Sequence, residues 1–249
     1  MKKTVLLFAL NSLLLSNLFS QEQNERKGYS SIILGASIPT GNFNSDNFYN
    51  NEAGYANGGI LFDIAFAYNF HPKLGVKSIM RGQANPLDAG TYAQDLANFL
   101  GKDNPIGSTS VSVKSSVYSL GGMLVGINGS FPIEKNIKFE PYALIGLSTA
   151  TLPSMMVESF YYQNKMNSIY QEQATTNSFS YIIGASAKLN LSEQICLLLN
   201  LDYYASKAEW NNVRVITVGH VSRTTEVRNY RYEQKFSTIN LSGGVGFRF

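Results

Sequence analysis

The sequence predicts an all-β fold: an antiparallel transmembrane β-barrel of about eight strands. In many stretches apolar residues alternate with polar or small ones, and the connections between these stretches are alternately short and long. After the first twenty residues, no apolar run approaches the ~20 residues that a membrane-spanning helix needs. A period of two is typical of strands rather than helices. The apolar residues therefore indicate strands with two different faces.

The stretch ILFDIAFAYNF shows this alternation most clearly. Its even positions, from Ile60 to Phe70, are all apolar or aromatic, whereas Asp63 and Asn69 lie on the other parity. The same pattern recurs in SSIILGASIP, LGVKSIMR, VYSLGGMLVGING, IKFEPYALIGLS, FSYIIGASAKLNL, ICLLLNLDYY and the final LSGGVGFRF. Each stretch is close to the ~10 residues with which a tilted strand crosses a bilayer.

The connections predict which side of a membrane each end of the barrel faces. Short connections occur at HPK, FPIEKN and LSEQ, and long ones over residues 40–57, 82–112, 150–177 and 206–235. In bacterial outer-membrane barrels the turns on the periplasmic side are short and the extracellular loops are long. The fourth long segment alternates enough to extend the last two strands beyond the membrane, with Gly219 near its tip.

The parity opposite to the apolar face carries the charges that the barrel would enclose. An interior of about eight strands is just wide enough to be filled by side chains. We therefore predict a structural plug rather than an ion path, since a polar channel needs a wider barrel. The predicted lumen charges are Asp63, Lys77, Arg81, Glu140, Lys188, Asp202 and Arg248, accompanied by Tyr118, Tyr142 and Tyr204.

Residues 1–20 have the layout of a secretory signal peptide, with Lys2 and Lys3, a short interrupted apolar core and a small residue at Ser20. Residues 21–249 then form a single barrel domain. Removing the two lysines lowers the net charge from +3 to +1, which argues against a nucleic-acid partner. Cys196, the only cysteine, has no disulfide partner in the chain and is expected to be a small buried residue.

The signal peptide, the opening LGASIPTGNF, the motif PYALIGLS and the ending GGVGFRF together resemble the OmpA/OmpX-type outer-membrane β-barrels, also called porin-family proteins. The resemblance implies a monomer in the outer membrane of a Gram-negative cell, in contact with lipid and lipopolysaccharide. Roles in this family include adhesion and, for PorT-like members, protein secretion. It also implies an ending that the barrel assembly machinery reads, carried here by Leu241, Val245, Phe247 and Phe249.

The long connections hold two further features. TYAQDLANFLG is helical in pattern, with Thr91 and Gln94 as a predicted capping box and one apolar face. That face, formed by Tyr92, Leu96, Phe99 and Leu100, would pack on the barrel rim or another loop, or bind a partner. In the fourth loop basic residues outnumber acidic ones, which would suit an anionic lipopolysaccharide or acidic partner, or a solvated hairpin face.

No catalytic, cofactor or metal site is predicted. The only histidines, His71 and His220, are far apart, and the cysteine and acidic residues lack a zinc or calcium spacing. The favoured function is therefore a non-enzymatic, plugged barrel that acts through its extracellular loops in envelope integrity, binding or adhesion, or a secretion apparatus. The alternatives are a narrow porin-like diffusion channel and a soluble lipocalin-like barrel that binds a ligand.

Overall fold

The computed structural model describes residues 27–102, 109–161 and 164–249. The predicted signal peptide, residues 1–20, lies outside the described residues. The secondary structure comprises, in chain order, β1 (Gly28–Pro39), a short 3-10 helix (Gly41–Phe43), β2 (Gly59–His71), β3 (Leu74–Pro86), α1 (Ala89–Gly101), β4 (Thr109–Ser115), β5 (Val117–Gly129), β6 (Phe131–Pro132), β7 (Ile137–Leu152), β8 (Met155–Tyr161), β9 (Asn164–Gln171), β10 (Ala174–Asn190), β11 (Ile195–Gly219) and β12 (Thr224–Arg248). Within the described ranges, every helix is too short or too polar to cross a membrane.

Eight of the strands pair in a closed ring. Its order is β1, β2, β3, β5, β7, β10, β11 and β12, each antiparallel to the next, and β12 returns to β1. A closed sheet leaves no free edge along the length that its strands share. The predicted all-β antiparallel fold is thus confirmed, with an interior enclosed by the ring.

Over the described residues the sheet has twelve strands, more than the predicted number of about eight. Four strands lie outside the ring: the two-residue β6, and β4, β8 and β9, which arise within or beside the predicted long loops. β9 pairs with the distal part of β11, β8 with β9, and β4 with β8. Many side chains in β8 and β9 are half-buried on both faces. These strands therefore lack the alternation of apolar with polar or small residues by which the ring strands can be recognised in the sequence.

The two faces of the ring differ as the alternation predicts. Outward side chains are apolar and exposed; Ile60 is 72% exposed and Leu147 67% exposed. The inward side chains of the same strands, such as Leu61 and Asp63, are buried. Cys196 is also buried, as expected of a small interior residue. The ring therefore has an apolar outer belt and an interior of mixed polarity.

At one end of the ring the strands continue into the long connections, and we call this the loop end; the opposite end, with the short connections, is the turn end. β11 and β12 form the longest hairpin, each strand spanning 25 residues. Their pairing reaches Gly219 and Thr224, with one irregularity between Trp210 and Val213. The last two strands thus continue through the fourth long segment, as its alternation predicts, and β11 ends at Gly219.

The N-terminal cap of α1 corrects the predicted capping box. Asp88, rather than Thr91, caps the helix, since one carboxylate oxygen of Asp88 accepts the Thr91 backbone N–H at 3.0 Å and the other accepts the Thr91 hydroxyl at 3.0 Å. Thr91 lies within the first turn as a donor to the cap. The sequence reasoning placed the cap on the hydroxyl and overlooked the carboxylate three residues earlier.

The aromatic residues of α1 contact the first long connection. The Tyr92 ring packs edge-on against Tyr55 at 5.1 Å, and the Phe99 ring lies 5.3 Å from Phe48. The Tyr55 hydroxyl donates to Asp95 at 3.0 Å. The apolar face of the helix is thus used mainly against another loop, which was one of the two predicted uses.

Replacing Asp88 with alanine should destabilise α1 by about 1 kcal/mol, the usual cost of losing an N-cap. The Thr91 backbone N–H holds the pKa of Asp88 below its ordinary value. The stabilisation should therefore be complete above the unfolded pKa of about 3.9 and be lost as the pH falls through the lower, folded pKa. Hydrogen exchange of the α1 amides, compared between D88A and Q94A, measures this. Equal protection in the two variants would contradict the assigned cap.

Candidate functional site in the barrel interior

Arg81 connects opposite sides of the ring. Its guanidinium donates two hydrogen bonds to Asp63 and two to Asp202, at distances of 2.7–2.9 Å. Asp63 lies directly opposite Arg81 on the paired strand β2. Asp202 lies on β11, which three strands separate from β3 in either direction around the ring. The planar fork of an arginine suits such paired two-point contacts, and here it spans the interior.

Asp202 also accepts hydrogen bonds from two further strands. The Tyr142 hydroxyl donates to it at 3.2 Å and the Asn240 amide at 2.8 Å. Lys77 lies beside this group, with its ammonium 3.7 Å from the centre of the Tyr142 ring and donating to the Ser186 hydroxyl at 3.1 Å. Side chains from β2, β3, β7, β10, β11 and β12 thus meet in one polar layer.

A second crossing lies closer to the turn end. Glu140 on β7 forms an ion pair with Lys188 on the neighbouring strand β10. It also accepts a hydrogen bond from the Tyr29 hydroxyl at 2.8 Å. Tyr29 lies on β1, across the ring from β7, and the Lys188 ammonium is 4.5 Å from the centre of its ring. This crossing again joins strands that do not pair with each other.

The six charges of these two layers are shielded from solvent and cancel formally. Asp63, Glu140 and Asp202 balance Lys77, Arg81 and Lys188, and each of the six residues is 5% exposed or less. Buried ions are costly unless they are paired and hydrogen-bonded. The contacts described above meet that requirement for every carboxylate in the two layers.

The seventh predicted lumen charge differs from the other six. Arg248 is only half-buried, and its guanidinium donates to the backbone carbonyl of Ser192, in the connection between β10 and β11, at 3.0 Å. The structure therefore places Arg248 at the turn end, beside a tight connection. Sequence parity alone could not distinguish this position from those deeper in the ring.

An aromatic layer covers the polar layers towards the loop end. Phe43, from the 3-10 helix after β1, is fully buried, and its ring lies 4.8 Å from Phe236 and 5.2 Å from Tyr118. Trp210 packs edge-on against Phe236 at 6.1 Å. Phe43 was not among the predicted interior residues because it lies in a predicted loop, where alternation gives no information.

Sequence reasoning also missed the neutral groups that complete the polar layers. Tyr29, Ser186 and Asn240 all lie on the inward parity, so this signal was present in the sequence. Which inward residues meet across the ring depends on the stagger of the strands, however, and alternation does not report stagger.

The two histidines lie at opposite ends of the molecule. His71, the last residue of β2, accepts the Lys73 backbone N–H at 3.3 Å. His220, at the tip of the β11–β12 hairpin, lies 2.9 Å from the exposed Ser168 hydroxyl. A serine–histidine nucleophile needs a third group that orients the base. In the described part of the chain no carboxylate contacts His220, nor do three or more His, Cys, Asp or Glu side chains gather as metal ligands.

The residues of the implied assembly signal lie along the last strand. Leu241, Val245 and Phe247 face outward and are exposed. The Phe249 backbone exchanges two hydrogen bonds with Gly28, both at 3.0 Å, which continues the pairing of β12 with β1. These residues thus form an apolar stripe that ends at the closure of the ring.

Comparison with known proteins gives a match of fold. No protein-family model and no curated protein matches the chain. Among solved structures, a major outer membrane protein from Thermus thermophilus matches with a TM-score of 0.50 and 11% identity, covering 89% of this chain and 99% of that one. This likeness is evidence for the fold alone.

Two other structures align more loosely over similar lengths. Ail, the attachment invasion locus protein of Yersinia pestis, gives a TM-score of 0.41 at 12% identity, covering 90% of this chain and 99% of Ail. The outer membrane protein OprG from Pseudomonas aeruginosa gives 0.41 at 10% identity, covering 91% of this chain and 97% of OprG. The predicted resemblance is confirmed as far as the fold, because the chain shares the fold of a solved bacterial outer membrane protein.

Proposed function

We propose that this protein is a non-enzymatic barrel of the bacterial outer membrane, closed along its axis by its own side chains, that acts by binding through its extracellular loops. The observation that carries the proposal is the crossing of the ring by Arg81, which bonds to Asp63 and Asp202 at 2.7–2.9 Å while only 3% exposed. A water-filled path through this layer would leave these charges solvated.

The outer face supports the membrane location. Large apolar side chains cover it, and aromatic residues gather near the turn end, where a membrane interface would lie. The exposed aromatic residues there are Tyr68, Phe70, Phe131, Phe139 and Phe247. A lipocalin-like barrel would show the reverse, with an apolar interior and a polar outer face. The buried ion pairs and the apolar belt both oppose that alternative.

The proposed orientation places the turn end in the periplasm and the loop end outside the cell, following export by residues 1–20. Outer-membrane lipid then contacts the belt. We further propose that the barrel assembly machinery reads Leu241, Val245, Phe247 and Phe249. These residues suit that role because three of them are exposed on the outer face and the fourth pairs with Gly28 where the ring closes.

Binding of lipopolysaccharide through the basic residues of the fourth loop has weaker support. Between residues 213 and 235, four of the five arginine and lysine residues form ion pairs within the protein, in the pairs Arg214–Glu172, Arg228–Glu226, Arg231–Glu209 and Lys235–Glu52. Their charges are therefore largely balanced locally. This favours a solvated hairpin face over a surface that binds anions strongly. The proposed binding region is therefore the loop end of the ring rather than the basic residues of the hairpin.

The plug predicts an electrically silent protein. Wild-type protein in a planar bilayer should give no steady conductance. A variant in which Phe43, Asp63, Lys77, Arg81, Asp202 and Phe236 are all replaced by serine should conduct, because the substitutions shorten side chains in the aromatic layer and in the polar layer around Arg81. They remove two buried charges of each sign and leave Glu140 paired with Lys188. The variant E226Q, altered at the exposed hairpin, is the matched control and should stay silent. Steady wild-type conductance would support the narrow channel instead.

Location is tested independently by membrane fractionation. The protein should stay with the outer-membrane fraction through carbonate washes, and its gel mobility should change on heating, as expected for a folded barrel. Release into the soluble fraction without detergent would contradict the proposal.

A further inference from the structure

A cavity of about 280 Å³ lies at the loop end of the ring. The first long connection, α1 and the distal parts of β5, β9, β11 and β12 surround it. Six aromatic residues contribute to its wall: Phe48, Tyr55, Tyr92, Tyr118, Trp210 and Tyr232. At about 30 Å³ per water molecule, the volume equals roughly nine waters. This is enough for one ring-sized ligand.

The floor of the cavity is closed. Tyr118 and Trp210 line it from below, and both pack on Phe236 in the aromatic layer that covers the lumen. Trp210 is 3% exposed, and its indole N–H already donates to the Ala150 carbonyl at 3.3 Å. The cavity is therefore separate from the charged interior and opens towards the loops.

Three tyrosine hydroxyls in the cavity lack protein partners. Tyr118 is 6% exposed, yet within the described part of the chain its hydroxyl makes no hydrogen bond, and the same holds for Tyr92 and Tyr232. Tyr55, in the same wall, differs because its hydroxyl donates to Asp95. None of these three hydroxyls is among the side-chain oxygens that are sealed from solvent, so each can be reached by a molecule in the cavity. Those of Tyr92, Tyr118 and Tyr232 are thus left to bond with a ligand.

The three hydroxyls are neutral and lie near one another. Burial raises the pKa of Tyr92 and of Tyr232, and the proximity of Tyr92 adds to the rise at Tyr232. Each phenol therefore keeps its proton at neutral pH and can both donate and accept a hydrogen bond. Gln171 and Gln234 are buried in the same wall, and their amide nitrogens already donate to the backbone carbonyls of Pro153 and Glu52, which leaves the amide oxygens as acceptors for a ligand.

The charges around the cavity are already paired. Glu233, the only acidic residue in the wall, binds Lys207 at 2.8 Å, and Lys235 next to it binds Glu52 at 3.0 Å. None of the described wall residues is a lysine, arginine or histidine. The wall thus offers an anion no cationic partner, and its phenols and amides suit a neutral ligand rich in hydroxyl groups.

We propose that this cavity binds the terminal sugar of a neutral glycan. One face of a pyranose ring, with its C–H groups, would pack on the aromatic wall, and its hydroxyls would bond to Tyr92, Tyr118 and Tyr232. Aromatic rings with polar tips suit a ligand that is apolar on its faces and polar at its edge. The inference rests on the proposed function, because the proposed orientation exposes the loop end to extracellular glycans.

The test uses Trp210, the only tryptophan in the chain, as a reporter. The full-length protein is purified in an amine-oxide detergent, since detergents with sugar headgroups would compete. Glucose, galactose, mannose and N-acetylglucosamine are titrated to about 100 mM, a range that detects Kd values in the millimolar region. Glucuronate and cyclohexanol are titrated as an anionic and an apolar probe. At least one neutral sugar should give a saturable change in Trp210 emission.

Removing the most deeply buried free hydroxyl should weaken this binding. Y118F is expected to raise the Kd about tenfold, as the loss of one buried hydrogen bond would. Y203F, which removes a hydroxyl from the outer face of β11, is the matched control and should leave the Kd unchanged. Unchanged binding in Y118F, binding of only glucuronate or cyclohexanol, or no saturable change with any neutral sugar would each overturn the inference. The membrane fractionation described above would still succeed in those cases, so failure of the sugar site is distinguishable from failure of the proposed function.

Discussion

Replacing Arg81 by methionine is expected to lower the free energy of unfolding by about 3–5 kcal/mol. The substitution leaves Asp63 and Asp202 facing each other in the interior, where both residues are 3% exposed or less. Two carboxylates without their shared guanidinium must either remain charged at high cost or take up protons. Urea unfolding of the detergent-refolded protein, followed by the heat-dependent gel shift, measures the loss.

Two matched variants separate the effect of an unpaired buried charge from that of a lost side chain. Lys207 also lies between two acids, Glu209 at 3.2 Å and Glu233 at 2.8 Å, but it is exposed. K207M should change the free energy of unfolding far less than R81M does, because surface ion pairs contribute little to stability. Combining R81M with D63N, D202N and K77M should recover much of the stability, because the two buried charges that remain, Glu140 and Lys188, pair with each other. If R81M were as stable as K207M, the crossing would not be holding the interior together.

The charged interior was largely predictable from the sequence because side-chain direction in a strand has a period of two. Knowing that Ile60 and Phe62 face outward places Asp63 inside without any three-dimensional information. The same rule correctly placed Lys188 and Asp202 in the interior, and both are buried. Membrane strands favour such predictions, since lipid allows few polar exceptions on the outer face.

The alternation of side-chain direction does not predict which residues contact each other across the ring. Pairing of Asp63 with Arg81 requires an irregularity in β2 between Tyr68 and His71, which shifts the register near the turn. Bonding of Arg81 to Asp202 depends in addition on the stagger of all the intervening strands. Neither the register shift in β2 nor the stagger of the strands can be recognised from the alternation of residues in the sequence. The charged residues could therefore be placed in the interior, but their partners could not be predicted.

The loop end was predicted least well for a related reason. Phe43 enters the interior from a connection, where no periodicity exists to give its direction. β8 and β9 pair in a segment in which both faces are half-buried, so their alternation is weak. The cavity therefore emerges only when Tyr92, Tyr118 and Tyr232, far apart in the sequence, are brought together by folding.

Replacing Gly126 by valine is expected to prevent assembly of the barrel or to cost about 3 kcal/mol or more, the upper end of the usual penalty for overpacking. Gly126 lies on β5, opposite Leu144 of β7. A Cβ atom built on it would overlap the Ala143 carbonyl oxygen and approach the Leu144 Cα to 2.8 Å. Both atoms belong to the backbone of the partner strand, so the overlap can be relieved only by separating two strands of the ring.

Gly121, five residues earlier on the same strand, provides the control. It faces outward, and an added Cβ atom there would meet no other atom within 4 Å. G121V should therefore insert normally, and it even raises the β-propensity of the strand. The yield of heat-modifiable protein in the outer-membrane fraction compares the two variants. Equal yields would mean that β5 and β7 can move apart without opening the ring. A defect confined to G126V would show instead that the closed ring depends on close backbone contact at this inward glycine, because the two variants introduce the same side chain into the same strand.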